Sequence, residues 1–364
     1  MTAVFPFFRK KPNKTGDGIR QLGRDTFSFQ FHITDACDQR CRHCYIYGDD
    51  GTKAPLTMPW DKLLEAVALC ETFCEGMGMR PFFFLTGGDP LLHPDFWRLA
   101  EHLHRRKHSF AILGNPFHLT KTVCRRLKKL GCLRYQLSLD GLEETHDLLR
   151  KPGSYKETME KIGMLKKSGL KTTVMTTVSS LNIDQIPALV DEVVAAGADH
   201  YAFARYCPSA KDGTNGLTPE RYRELLYTCG KKFHELIEAG CQTSFGKKDH
   251  LWVLYDYENG RFTPPEDALP NVIYGGCHCG TQHLTLLPNG DVMACRRVPD
   301  SVLGNLFTHS LEQLWAGQLS QYRQLERFEK CSGCELLSWC RGCPAVAKCT
   351  NGSFYSPDPQ CWKE

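Results

Sequence analysis

Three cysteines, Cys37, Cys41 and Cys44, follow a strand-like run in FHITDACDQRCRHCYIYG, residues 31–48, with three and then two residues between them. Thiolates this close together point to a soft metal, either zinc in a closed four-ligand site or an iron–sulfur cluster. Zinc would need a fourth donor, which His32 or His43 would have to supply. An iron–sulfur cubane held by three thiolates instead keeps one iron open to a ligand from outside the chain. A second set fills the last quarter of the sequence: Cys277, Cys279, Cys295, Cys331, Cys334, Cys340, Cys343, Cys349 and Cys361. Within it Cys331, Cys334, Cys340 and Cys343 are separated by two, five and two residues, a quartet that a zinc knuckle would also use.

Such groups have to be presented by a scaffold, and the sequence between the two sets supplies one. FSFQFHIT alternates with period two, and PFFFLTGG, FAILGN, RYQLSLDG, KTTVMTTVSS and HYAFARY are five further short apolar or β-branched runs. Amphipathic stretches separate them, several closing on glycine, which tolerates the left-handed end of a helix. Alternating strand and helix predicts an α/β fold with a parallel sheet. Six units fall short of the eight that close a (β/α) barrel, so the expected architecture is an open, partial (β/α)6 TIM-like barrel over residues 26–240, with its chemistry at the carboxyl ends of the strands. Beyond it, residues 241–364 are rich in Gly, Pro and Cys and read as a separate cysteine-stitched module. In this module HLTLLPNGDVMACRR predicts a hairpin turning at Asn289-Gly290.

The chain has 364 residues and 19 cysteines, with a net charge of +4. Residues 1–25 form a basic extension, holding six Lys/Arg against Asp17 up to Arg24, so the remainder is about neutral. A neutral body argues against a general nucleic-acid binder, and the absence of an eighteen-residue apolar run argues against a membrane span. No export signal accompanies the cysteines, and a chain of this size needs no disulfide framework, so the expected compartment is the cytoplasm and the expected use of the thiols is metal ligation.

The opening spacing, with Arg40, Arg42, His43 and Tyr45 around it, resembles the signature loop of the radical S-adenosylmethionine (radical SAM) superfamily. The resemblance implies that Cys37, Cys41 and Cys44 hold a [4Fe–4S] cluster whose open iron is chelated by S-adenosylmethionine, and that reduction cleaves this cofactor to a 5′-deoxyadenosyl radical. His43 stands where the family has a planar side chain near the adenine. LTGGDP resembles the Gly-Gly-Glu-Pro segment that meets the cofactor's amino group, with Gly87 and Gly88 in place and Asp89 for the usual Glu. LSLDG, with Ser138 and Asp140, looks like the ribose-contacting stretch, and the resemblance implies that Arg150 pairs with the cofactor's carboxylate. Asn182 and Arg205 are read as structural.

The terminal pattern resembles the SPASM extension of radical SAM peptide and protein maturases, which binds two auxiliary [4Fe–4S] clusters. Carried over by order, Cys277, Cys279, Cys295 and Cys343 take one cluster, and Cys331, Cys334, Cys340 and Cys361 take the other. Three [4Fe–4S] clusters are thus implied. The sequence departs from the family in having only Arg341 and Gly342 between Cys340 and Cys343, in the close pair Cys277 and Cys279, and in the extra Cys349.

The leading expectation is modification of a ribosomally made peptide, by thioether or carbon–carbon crosslinking or by epimerisation, with electrons from a low-potential donor such as flavodoxin or ferredoxin. Epimerisation needs a hydrogen donor, for which Cys207 and Cys349 are the candidates. Formylglycine maturation of sulfatases is the nearest alternative, but there an acidic residue follows the counterpart of Cys295 and serves as base, whereas Arg296 and Arg297 follow here. Radical dehydrogenation of a small molecule, and a zinc or iron–sulfur protein without catalysis, complete the set. The two arginines are also candidates for holding an acidic peptide.

Overall fold

The computed structural model describes residues 25–47, 54–208, 214–268 and 272–364, so most of the basic extension lies outside the described residues. Strand β1 (Thr26–Thr34) shows how the scaffold is built. Phe27, Phe29, Phe31 and Ile33 alternate along it and are wholly buried, while Ser28 and Gln30 on the other face stay half-buried. The aromatic face packs under helix α1 (Trp60–Gly76), with Phe27 edge-on to Phe73 at 5.1 Å. Each such side chain contributes roughly 1.5–3 kcal/mol on burial. The opposite face lines the inside of the curved sheet.

The pattern repeats along the chain. In order come β2 (Arg80–Gly87), α2 (Phe96–Arg105), β3 (Phe110–Leu113), α3 (Lys121–Lys129), β4 (Cys132–Ser138), α4 (Glu143–Leu149) and α5 (Ser154–Ser168). These are followed by β5 (Lys171–Val178), α6 (Ile186–Ala196), β6 (His200–Arg205) and α7 (Pro219–Glu238). Local signals set the ends. Thr120 and Thr218 cap α3 and α7 through their hydroxyls, and Gly169 and Gly197 stop α5 and α6 at φ of 68° and 79°. Strands β1 to β6 pair in parallel in sequence order, giving the expected partial barrel.

The sheet does not end with the barrel. β7 (Ser244–Gly246) adds in parallel to β6, and α8 (Trp252–Glu258) follows it. At the other edge β8 (His283–Leu286) adds in parallel to β1, with Ser28 opposite His283 and Phe31 opposite Leu286. β9 (Asp291–Met293) and β10 (Val302–Asn305) then run antiparallel, the β8–β9 turn falling at Asn289-Gly290 with Gly290 at φ 87°. Ten strands form one sheet, ordered β10-β9-β8-β1-β2-β3-β4-β5-β6-β7. The cysteine-rich tail is therefore continuous with the barrel and not a separate layer. An open barrel leaves two edges of unpaired backbone groups, and β7 and β8 cover them. Helices α9 (Leu311–Ala316), capped by Ser310, and α10 (Pro344–Asn351) complete the extension.

Arg205, at the end of β6, ties the parts together. Fully buried, it donates to Asp249 at 2.9 and 3.1 Å, to Asp358 at 2.5 and 2.7 Å and to Gln360 at 2.9 Å. Burial pushes the Asp249 carboxyl up, but Arg205 overrides this and holds it at about 2.

Candidate active site

The three thiols Cys37, Cys41 and Cys44 lie half-buried on the loop that leaves the carboxyl end of β1. The loop is anchored from several sides. Arg42 N donates to Leu149 O at 2.9 Å and the Tyr47 hydroxyl to Asp35 O at 2.5 Å. Cys37 Sγ accepts from the backbone N–H of Gln39 at 3.4 Å and from the Asn115 amide at 3.3 Å. Arg150 approaches Cys41 Sγ at 3.8 Å. Donors aimed at sulfur favour thiolate ligands and tune the metal they hold.

The spacing of the sulfurs bears on which metal fits. A tetrahedral zinc site with Zn–S near 2.3 Å draws its sulfurs to within about 4 Å of one another. Among the described residues, no three cysteine sulfurs lie within 4.8 Å of each other. A cubane spreads its thiolates over separate irons and suits the wider set. Burial raises the Cys41 thiol to about 11, with Arg150 working against it, a tendency that a bound cation reverses.

The glycine pair lies directly against this loop. A Cβ on Gly87, at φ 142°, would sit 1.8 Å from Thr34 O, and one on Gly88 would sit 2.3 Å from Ala36 O. Gly88 N donates to Thr34 O and Asp89 N to Ala36 O, at 2.9 and 2.7 Å. Asp89 is wholly buried: one carboxylate oxygen caps Leu91 N at 3.0 Å and the other has no partner. Burial lifts its carboxyl to about 6.

Ser138 ends β4, half-buried. Two residues on, Asp140 is fully buried and accepts from Arg150 Nε at 2.6 Å and Thr177 N at 2.8 Å, with His43 Nε2 at 3.3 Å. Burial works to raise the Asp140 carboxyl, and Arg150 with His43 overcomes it and holds it well below the usual carboxylate range. Arg150 thus has a partner within the chain, which orients it against Cys41. Asn182 braces the same turn, donating to Asp140 O and Thr177 O at 3.0 and 2.8 Å.

The second thiol set divides into two groups. Cys331, Cys334, Cys340 and Cys361 line one cavity beside Asp358, and Cys349 does not line it. In the other, Cys277 is hydrogen-bonded with Cys279 and His250, Cys279 Sγ lies 2.9 Å from Ala294 O, and Cys295 packs beside Cys343. Cys207 joins this group: its hydrogen bond lowers the Cys343 thiol to about 6 against the effect of burial. Arg297 spans the same place, reaching Arg205 O at 3.4 Å and Cys343 Sγ at 3.9 Å, while Cys349 Sγ lies 3.7 Å from Arg297 O. The short link from Cys340 to Cys343 turns through two left-handed residues, Arg341 and Gly342, both at φ 61°. Arg341 is held there by donating to Gly275 O and Cys277 O. None of the nineteen cysteines is in a disulfide.

Some residues at the site carry no local signal. Asn115, after β3, reaches Cys37 only because β3 lies two strands away in the sheet. Arg134 faces the barrel interior because it pairs with Ala111, and its guanidinium lies 5.4 Å from the Phe84 ring. The alternation of half-buried residues along β1 was the one available clue to that interior face.

Comparison with known proteins supplies the family. Residues 31–193 match the model of the radical SAM superfamily, and residues 277–344 match SPASM, an iron–sulfur cluster-binding domain. This chain is a radical SAM enzyme with a SPASM extension. An AdoMet-dependent heme synthase from Methanosarcina barkeri is 26% identical to this radical SAM chain over 349 residues, covering 91% of it and 95% of the relative. A mycofactocin maturase from Mycobacterium ulcerans is 24% identical over 347 residues, covering 91% and 86%. Streptococcus suis SuiB bound to its precursor peptide SuiA shares the fold at TM-score 0.72 and 19% identity, covering 93% of this chain and 76% of SuiB. No helix among the described residues is long and apolar enough to cross a membrane.

Proposed function

We propose that this radical SAM enzyme modifies a ribosomally made peptide, forming a thioether or carbon–carbon crosslink or inverting a residue. The observation that carries the reading is the meeting of two thiol-bearing regions: Tyr45, next to Cys44, lies 4.8 Å from the guanidinium of Arg296, next to Cys295, and His43 meets Tyr206, next to Cys207, at 6.2 Å. Two thiol sets this near one another suit a substrate held between a radical source and an electron acceptor. SuiB, which shares this fold, binds a precursor peptide, and a maturase matches nearly the whole chain.

In this reading Cys37, Cys41 and Cys44 hold a [4Fe–4S] cluster, which supplies the electron that cleaves S-adenosylmethionine. Gly87 and Gly88 keep the backbone close enough for the cofactor's amino end, and Ser138 and His43 border its nucleoside. Asp140 fixes His43 and Arg150 in place. Cys331, Cys334, Cys340 and Cys361 hold one auxiliary cluster. Cys279, Cys295 and Cys343 with Cys277 hold the other, making three, and a flavodoxin or ferredoxin of the cytoplasm is the donor. Cys207, bonded to Cys343, is better placed to interact with that cluster than to deliver hydrogen to a substrate.

The test is anaerobic reconstitution with iron and sulfide, then incubation with S-adenosylmethionine, dithionite and the short peptides encoded beside the gene. Release of 5′-deoxyadenosine together with loss of two hydrogens from a peptide, or uptake of one solvent deuterium, is the expected result. A bound zinc and no cofactor cleavage would sink the reading. The heme synthase relatives favour a second reading, action on a tetrapyrrole, and the same incubation with a porphyrin in place of the peptide separates the two.

A further inference from the structure

Between the two thiol sets lies a constellation that the chemistry above does not use. His32, on β1, is wholly buried on the face that lines the barrel interior, where Gly87 and Thr86 of β2 pair beside it. Gln30 Nε2 lies 3.2 Å from His32 Nε2. With that amide N–H donating to Nε2, the imidazole proton sits on Nδ1, and His32 Nδ1 is a buried atom without a partner. Burial, then Arg296 and His283, keeps this imidazole well below its usual pKa.

Arg296 supplies a second donor in the same state. It directly follows Cys295, its guanidinium lies 4.8 Å from the Tyr45 ring, and its Nε is buried with no acceptor. Tyr45 directly follows Cys44 and meets the His32 ring at 6.1 Å, so one aromatic ring joins the two donors. His283, on β8, stands opposite Ser28 of β1, four residues before His32. Arg297 turns instead toward Cys343 Sγ, at 3.9 Å. Two buried N–H donors left without acceptors are costly, and one of them belongs to a guanidinium that is always charged. The group that satisfies both accepts hydrogen bonds, donates none and carries negative charge.

We propose that Arg296 and His32 form a receptor for a carboxylate of the substrate, set between the cofactor loop and the extension's thiols. This rests on the reading that substrate enters the barrel mouth, and it names the substrate's chemistry: an acidic side chain of a peptide, or a propionate of a tetrapyrrole. The carboxylate anchors the substrate and so fixes which neighbouring C–H bond faces the radical source. Arg296 acts here as a positioning residue.

The test reads binding without turnover, on the anaerobically reconstituted full chain with S-adenosylmethionine and no reductant. A fluorescent peptide of alternating glycine and glutamate is compared with its glycine–glutamine counterpart, and a porphyrin bearing free propionates with its methyl ester. The receptor predicts about tenfold or greater preference for the acid in at least one pair. Arg296→Gln removes that preference and Arg296→Lys retains most of it, both with unchanged iron content and circular dichroism. The peptide pair or the porphyrin pair, whichever discriminates, names the source of the carboxylate. Equal binding of acid and neutral partner in both pairs, or a preference that survives Arg296→Gln, overturns the proposal. Because no cofactor is cleaved in this assay, its failure leaves the radical chemistry intact, and failure of the radical chemistry leaves a measured preference standing.

Discussion

Replacing Arg205 with methionine is the sharpest test of how the extension is held on the barrel. Methionine roughly fills the space of the guanidinium stem but leaves Asp249 and Asp358, 3% and 1% exposed at their side chains, without their cation. The shift of Asp249 from 3.8 to about 2 corresponds by itself to about 2.5 kcal/mol. Breaking a buried pair by removing one partner costs about 3–5 kcal/mol, and two carboxylates put this change at the upper end. A folded value held below the unfolded one gives a contribution that is whole above the ordinary carboxylate range and lost only as pH falls toward 2. At neutral pH the full loss is therefore expected. In the variant the buried Asp249 carboxyl, left with burial and without the guanidinium, would gain a proton more readily, so the gap from the parent narrows in acid. The assay is urea unfolding of anaerobic protein at pH 7.5, followed by fluorescence. A loss below about 1 kcal/mol, the scale of an exposed pair, would refute the reasoning.

Two further outcomes follow from the geometry. Gly88→Ala places a methyl 2.3 Å from Ala36 O and 2.4 Å from Asp35 O, so the cysteine loop must retreat by roughly half an ångström or more. Since a misplacement near 1 Å costs about a hundredfold, 5′-deoxyadenosine release should fall by about tenfold to a hundredfold, and a rate within twofold of the parent would contradict the close approach. Cys361→Ala should lower bound iron by about four per chain while Cys349→Ala leaves it unchanged, because Cys361 lines the cavity with Cys331, Cys334 and Cys340 and Cys349 does not. Iron analysis after reconstitution checks this, and the reverse pattern would reassign the ligand.

The barrel was readable because its rules are local. Period two along FSFQFHIT gave β1, and glycines gave the ends of α5 and α6. The cysteine spacings gave the family, because ligand spacing in a loop is a covalent property of the chain. What escaped was set by register between distant segments. Nothing near HLTL says that it pairs with β1 and not only with its own hairpin partner. Arg205 reads as an ordinary strand-end arginine until Asp249 and Asp358, 44 and 153 residues away, close around it. Arg150 also pairs through Nε with Asp140, ten residues earlier, a contact that its own motif does not announce. The unpaired donors of His32 and Arg296 are likewise invisible in one dimension, since being unpaired is a statement about everything nearby.

The ten-strand sheet carries a mechanical consequence. With β8 hydrogen-bonded to β1 and β7 to β6, one continuous backbone ladder joins the barrel to the cysteine-rich extension among the described residues. Opening and closing as a lid would require stripping backbone ladders from both flanks. The spacing between the Cys37, Cys41 and Cys44 loop and the thiols of the extension is therefore set by backbone pairing and not by a movable joint.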